Sequence, residues 1–196
     1  MKGLKKNQEG FTLIELLVAM TFFSFMMLLV SVGVIQVMRL YQADIATKRT
    51  QNAARIAMED ITREIRDAST IGQAADRVLC MEGAQTVRYD LFDSGGDRWS
   101  LRKTTGGSCG APAPPTASNS LIIIDATTGN IQAREFLTAP IASGGQTTSA
   151  RISLTVTTGD PDLFTDASGR ICGPGTGSQF CSTTNYTNVV SLRGTL

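Results

Sequence analysis

Gly10-Phe11-Thr12-Leu13-Ile14-Glu15-Leu16-Leu17-Val18-Ala19-Met20 heads an apolar run that continues to Met38 and holds one ionisable side chain, Glu15. Between Phe11 and Met38 nearly every residue is Leu, Val, Ile, Met, Phe or Ala. As an α-helix rising ~1.5 Å per residue the run reaches roughly 42 Å, and about 20 apolar residues are enough to cross a bilayer. A membrane-spanning helix is therefore predicted. A secretory signal would have a shorter apolar core with a small-residue cleavage site on its far side, whereas here the glycine junction, Gly10, comes before the run. A carboxylate near a bilayer centre costs about 2.5 to 3.5 kcal/mol, so Glu15 calls for a partner or a shallow, interfacial position.

The flank ahead of the run carries Lys2, Lys5 and Lys6 against Glu9. The positive-inside tendency keeps such a flank in the cytoplasm and sends the rest of the chain outward, since Arg39 alone does not outweigh three lysines. A short basic leader closed by Gly10, then Phe11-Thr12-Leu13-Ile14-Glu15 and a long apolar helix, resembles the processing signal of type IV prepilins and of the pseudopilins of type II secretion and competence systems. The resemblance implies that a membrane aspartyl protease, prepilin peptidase, cuts between Gly10 and Phe11, that Phe11 is then N-methylated, and that Glu15 helps assembly. It implies as partners other pilin or pseudopilin subunits and an assembly platform in the inner or cytoplasmic membrane. The destination it implies is a single-pass position in the cytoplasmic membrane and, after processing, an extracellular or periplasmic filament. Ala53-Ala54-Arg55-Ile56-Ala57, Arg63-Glu64-Ile65-Arg66 and the ending Val189-Val190-Ser191-Leu192-Arg193 also resemble W-type minor pilins and J-type pseudopilins. Those proteins tend to end the last strand with Arg-Asn, where this chain has Arg193-Gly194. No proline precedes Pro112, although major pilins often carry one in mid-span.

Beyond the span, Ala54, Met58, Ile61, Ile65 and Ala68 recur every three or four residues and make one apolar stripe on a helix expected over residues 39–71. Arg55, Glu59, Arg63, Glu64 and Arg66 fall mainly off the stripe, and Gly72 is the expected stop. After Gly72 the period shortens to two. Val87, Tyr89 and Leu91 alternate with polar residues, Ser94-Gly95-Gly96-Asp97 turns the chain, and Trp99 and Leu101 resume the alternation, which predicts a β-hairpin. Leu121 to Ile124 reads as a central strand, turned by Thr128-Gly129-Asn130 into a strand over Ile131 to Phe136. Ile152, Leu154 and Val156 make another strand, and Val189, Val190 and Leu192 a last one. Residues 104–119 and 158–186 read as long loops.

The expected architecture is thus α+β: a long N-terminal helix, membrane-spanning in its first half, packed on a C-terminal antiparallel sheet head. Its segments are a leader at 1–10, a transmembrane or filament-core helix at 11–38, an amphipathic extension at 39–71 and a β-rich head at 72–196.

Four cysteines, Cys80, Cys109, Cys172 and Cys181, in an exported loop-rich domain point to disulfides, and three pairings are possible. We expect Cys172 with Cys181, closing a short glycine-rich loop, and Cys80 with Cys109; the competing reading is unpaired or partly paired thiols. No two cysteines have zinc-finger spacing. Asp160, Asp162 and Asp166 are loop carboxylates of the kind calcium takes, but they lack the glycine and distal glutamate of an EF-hand loop, so solvated turn acids are the better reading. Gly106-Gly107-Ser108-Cys109-Gly110 matches a hydrolase pattern, but the chain has no histidine and the pentapeptide has no strand-to-helix context. No cofactor and no enzymatic activity are expected. After Gly72, nine Lys or Arg face ten Asp or Glu. Arg88, Arg98, Arg102 and Lys103 cluster on one hairpin, but Asp90 and Asp97 partly cancel them, so there is no strong nucleic-acid signal. The reading that results is a minor pilin acting in filament initiation or at the tip. The alternatives are a pseudopilin of a type II secretion or competence system, and an uncleaved single-pass protein displaying a binding head.

Overall fold

A computed structural model describes residues 11–111, 114–127, 130–143, 146–159, 161–165, 171–174 and 177–193. The leader with Gly10, the turn residues Thr128 and Gly129, the acids Asp160 and Asp166, and Gly194 lie outside the described residues. The first element, α1, runs from Leu13 to Asp67. Two compact units divide within it, one ending at Tyr41 and the other spanning Gln42–Leu196.

In the first unit the apolar side chains of α1 are exposed from Leu13 to Tyr41. This part is long and apolar enough to cross a membrane. Its few hydroxyls are satisfied inside the helix: Thr21 donates to the Val18 carbonyl, Ser24 to that of Met20 and Ser31 to that of Met27, each at 2.8 Å. Such internal bonds remove the penalty that a polar group would otherwise carry in hydrocarbon.

In the second unit α1 buries Ala46, Thr50, Ala54, Ala57, Met58, Ile61 and Ile65, a stripe at helical spacing. Among the described residues it faces eight antiparallel strands in two sheets. The first sheet is ordered β1 (Thr70–Ala75), β2 (Val78–Glu82), β3 (Val87–Asp93), β4 (Trp99–Thr105) and β5 (Ser120–Ile124). The second is ordered β6 (Ile131–Ser143), β7 (Gln146–Thr158) and β8 (Ser182–Ser191). One core joins them: Ile61 and Ile65 from α1, Leu79, Tyr89 and Leu101 from the first sheet, and Phe136, Ile152 and Leu154 from the second. The fold is α+β, one long helix followed by antiparallel sheet.

Several local expectations change. The helix stops at Asp67, and Ser69 donates its N–H to the Glu82 carbonyl at 2.8 Å, so strand pairing captures the chain before Gly72 is reached. Gly72 therefore lies in β1, and its role is close approach: a Cβ there would sit 2.7 Å from Cβ and Sγ of Cys109. The hairpin of β1 and β2 was not expected; it turns at Asp76-Arg77, with Arg77 in the left-handed region at φ 68°. Leu121 to Ile124 forms an edge strand rather than a central one. Ile123 is an extra residue against β4, and Leu121 and Ile122 stay exposed. β8 begins at Ser182, inside the segment expected to be loop.

Lys103 belongs to the same hairpin as Arg88, Arg98 and Arg102 but falls on its other face, and it turns under α1 and donates to Glu64 Oε1 at 2.7 Å and to Asp60 Oδ2 at 3.2 Å. Arg102 is also engaged, pairing with Asp90 and lying over the Phe92 ring. Asp60 further accepts from the Tyr89 hydroxyl at 2.6 Å and from Arg63 at 2.8 Å. Burial pushes the Asp60 carboxyl up, but the Tyr89 hydroxyl, Lys103 and Arg63 outweigh it and hold the group below its ordinary value. Burial and the Asp60 charge raise the Tyr89 phenol far above its usual range.

A carboxylate with a depressed folded pKa contributes stability that is complete above its unfolded value near ~3.9 and is lost as pH falls through the folded value. Asp97 shifts in the same direction, through hydrogen bonds from Arg134 and Trp99. Asp60→Asn should cost about 1 to 3 kcal/mol at neutral pH and should flatten the decline in melting temperature below pH 4. The measurement is a thermal melt at each pH for both proteins. Parallel acid declines would show that Asp60 does not anchor α1 to the sheet by charge.

Candidate processing and assembly site

The segment at the start of α1 is built by its own sequence. Thr12 stands immediately before the helix and Glu15 three residues later, the spacing at which the two can satisfy each other's backbone N–H. Glu15 N–H donates to Thr12 Oγ1 at 3.4 Å, and Thr12 N–H donates to Glu15 Oε2 at 3.1 Å. The Thr12 hydroxyl also donates to that same Oε2, at 2.9 Å. The first helical bond follows, from Leu16 N–H to the Thr12 carbonyl at 3.3 Å. Glu15 thus has a local partner that fixes its rotamer. Among the described residues nothing donates to Oε1, so one oxygen of the carboxylate remains open. Phe11, four residues before Glu15 and 81% exposed, is the first described residue. Gly10 and the peptide bond joining it to Phe11 lie outside the described residues.

Thr12 is the residue that reading for charge and hydropathy missed. The signal was present: Thr-x-x-Glu immediately ahead of an apolar run is a capping-box pattern.

The prokaryotic N-terminal methylation motif matches residues 5–31, a span that contains Gly10, Phe11, Thr12, Glu15 and most of the exposed apolar helix. The chain is type IV prepilin-like. No curated protein and no solved structure matched it. In a prepilin-like chain the motif implies processing by prepilin peptidase and assembly with other pilins. Together with the apolar helix it points to membrane anchoring and later incorporation into a filament. Proteins carrying the motif are in general structural and non-catalytic.

The remaining candidates lie elsewhere in the prepilin-like chain. Cys80 is bonded to Cys109 and Cys172 to Cys181, which leaves no free cysteine. The first bridge ties β2 to the loop after β4, where Glu82 Oε1 accepts from the Cys109 N–H at 3.0 Å. Of the three aspartates weighed as calcium ligands only Asp162 is described; it is exposed, in a 3-10 turn at Pro161–Leu163. Among the described residues no three potential metal ligands come together. Ser108 has no elbow around it: its Oγ accepts from the Ala111 N–H at 3.1 Å, and its neighbour Cys109 is in the bridge.

Proposed function

We propose that this prepilin-like chain is a minor pilin, a non-enzymatic structural subunit cut between Gly10 and Phe11, methylated at Phe11 and incorporated at the initiation or tip stage of a filament. In this reading residues 1–10 are a cytoplasmic leader, 11–38 the membrane and then filament-core helix, 39–71 its extension and 72–196 the head. The carrying observation is the Glu15 carboxylate, set by Thr12 at the entry of an exposed apolar helix inside the methylation motif, with no donor to Oε1 among the described residues. Helix α1 is unbroken across the span, as the lack of proline dictates, and that feature suits a pseudopilin of a secretion or competence system equally well.

Cleavage creates an amine on Phe11 one helical turn from Glu15, both at the end of an anchor where solvation is poor. An opposite charge at ~4 Å is worth about 4 kcal/mol at an effective dielectric of 20, before desolvation is subtracted. A neighbouring subunit supplies that charge by setting its own Phe11 amine against Oε1, which also fixes axial register. Glu15→Ala should therefore leave the membrane fraction unchanged, because it only makes the span more apolar, while filament-fraction protein falls at least tenfold. Immunoblots of both fractions decide it. Equal incorporation would reduce Glu15 to an interfacial cap and remove the assembly role.

A further inference from the structure

Between α1 and β8 runs an open groove with four guanidinium groups along it: Arg55, Arg63, Arg66 and Arg193. Two are already engaged, Arg55 with Glu59 at 2.7 Å and Arg63 with Asp60 at 2.8 Å. Arg66 and Arg193, at the end where α1 finishes, have no acidic partner among the described residues. The floor and the facing wall carry Met58, Tyr186 and Asn188, so the groove also has apolar surface and amide hydrogen-bonding groups. β8 is an edge strand whose outer side pairs with no other described strand. Such an edge is a template for an added strand.

We propose that this groove docks an extended acidic peptide segment, supplied in a filament by a neighbouring subunit, whose carboxylates meet Arg66 and Arg193 while its backbone pairs with the edge of β8. The neighbouring subunit rests on the function proposed above; the acidic chemistry does not. Arg55 to Asp67 spans roughly 18 Å of helix at ~1.5 Å per residue, which matches five or six extended residues at ~3.3 Å each. Arginine's planar fork suits carboxylates bidentately. Glu59 and Asp67 lie in the same groove and break its positive surface, which works against a nucleic-acid backbone needing an uninterrupted basic track. A short segment with two carboxylates at the Arg66 and Arg193 end stays about two helical turns from Glu59, and there two guanidinium groups outweigh the single acid Asp67.

The test uses the full chain solubilised in detergent and a fluorescent hexapeptide with Asp at its first and third positions and Thr at the others. Saturable binding is expected, weakened at least tenfold by Arg66→Ser combined with Arg193→Ser and by N-methylation of alternate peptide amides. A peptide alternating Lys and Thr should not bind. Thermal melting, followed through Trp99, should be the same for the double variant, which separates loss of the site from loss of the fold. Equal affinity of the double variant overturns the proposal. So does a twelve-nucleotide single strand that outcompetes the peptide through the same arginines, which would make the groove a polyanion site. Glu15→Ala protein should bind the peptide as the wild type does, since the groove does not include Glu15; a wild-type chain that binds the peptide but is never found in filaments would sink the filament reading and leave the groove standing.

Discussion

Gly10→Val should keep all ten leader residues attached when the chain is co-expressed with a prepilin peptidase, whereas the wild-type chain should lose them. The scissile peptide must lie extended in a protease cleft, and the junction residue is one without a side chain. A β-branched residue stiffens that position and puts two methyl groups beside the attacked carbonyl. The consequence goes beyond the leader. Without cleavage Phe11 has no amine, so the neighbour's Glu15 Oε1 loses its donor, and Lys2, Lys5 and Lys6 stay joined to the end of the helix that must enter the filament. Filament-fraction protein should fall to background, while the membrane fraction should rise. Intact mass of the purified protein reads the cleavage, and a mass accounting for one added methyl reads the modification of Phe11. Leader peptide still attached in native filaments would end the proposal of cleavage at Gly10.

What could be read from the sequence followed from how strongly each pattern is constrained. The long apolar helix could be read because an unbroken run of more than ~20 apolar residues, the length a bilayer needs, leaves few other local structures open to it. The stripe from Ala54 to Ile65 could be read because one helix face meets one core. The hairpin of β3 and β4 alternates cleanly and turns where Gly95, Gly96 and Asp97 take positive φ. By contrast, Ile71-Gly72-Gln73-Ala74-Ala75 has almost no alternation, and Gly72 looks like a helix stop until Cys109 is known to lie against it. Small residues there serve close packing, which leaves no periodic trace. Leu121 to Ile124 misled because a continuous apolar run is usually covered on both faces; here Leu121 and Ile122 point to opposite sides of an edge strand and neither is covered. Lys103 shares its parity with Trp99 and Leu101, so the period of two already placed it on the inward face. Only the acids of α1, distant in sequence, make that position tolerable for an ammonium.

Removing the Cys80–Cys109 bridge should cost more stability than removing Cys172–Cys181. The two bridges span 29 and 9 residues, and the chain-entropy treatment of the unfolded state then assigns them about 3.6 and about 2.6 kcal/mol. Burial widens the gap, because Cys80 is fully buried beside Met81 and Leu79 while Cys172 and Cys181 are half-buried in the loop ahead of β8. Cys80→Ala combined with Cys109→Ala should thus lower the melting temperature of the detergent-solubilised chain by several degrees more than Cys172→Ala combined with Cys181→Ala. Peptide mapping that found four free thiols in exported protein, or equal melts for both pairs, would refute the ranking. Gly72 gives an internal check on the reason. A methyl at Gly72 would meet Cys109 Cβ and Sγ at 2.7 Å, a separation that forces movement. With the bridge intact the loop holding Cys109 is tethered to buried Cys80 and cannot retreat, so Gly72→Ala should be destabilising. Once Cys80→Ala and Cys109→Ala cut that tether, the loop can move outward and the same substitution should cost less. The two effects should therefore be non-additive, as expected for residues in direct contact, and strict additivity would show that Gly72 and the bridge do not share one packed site.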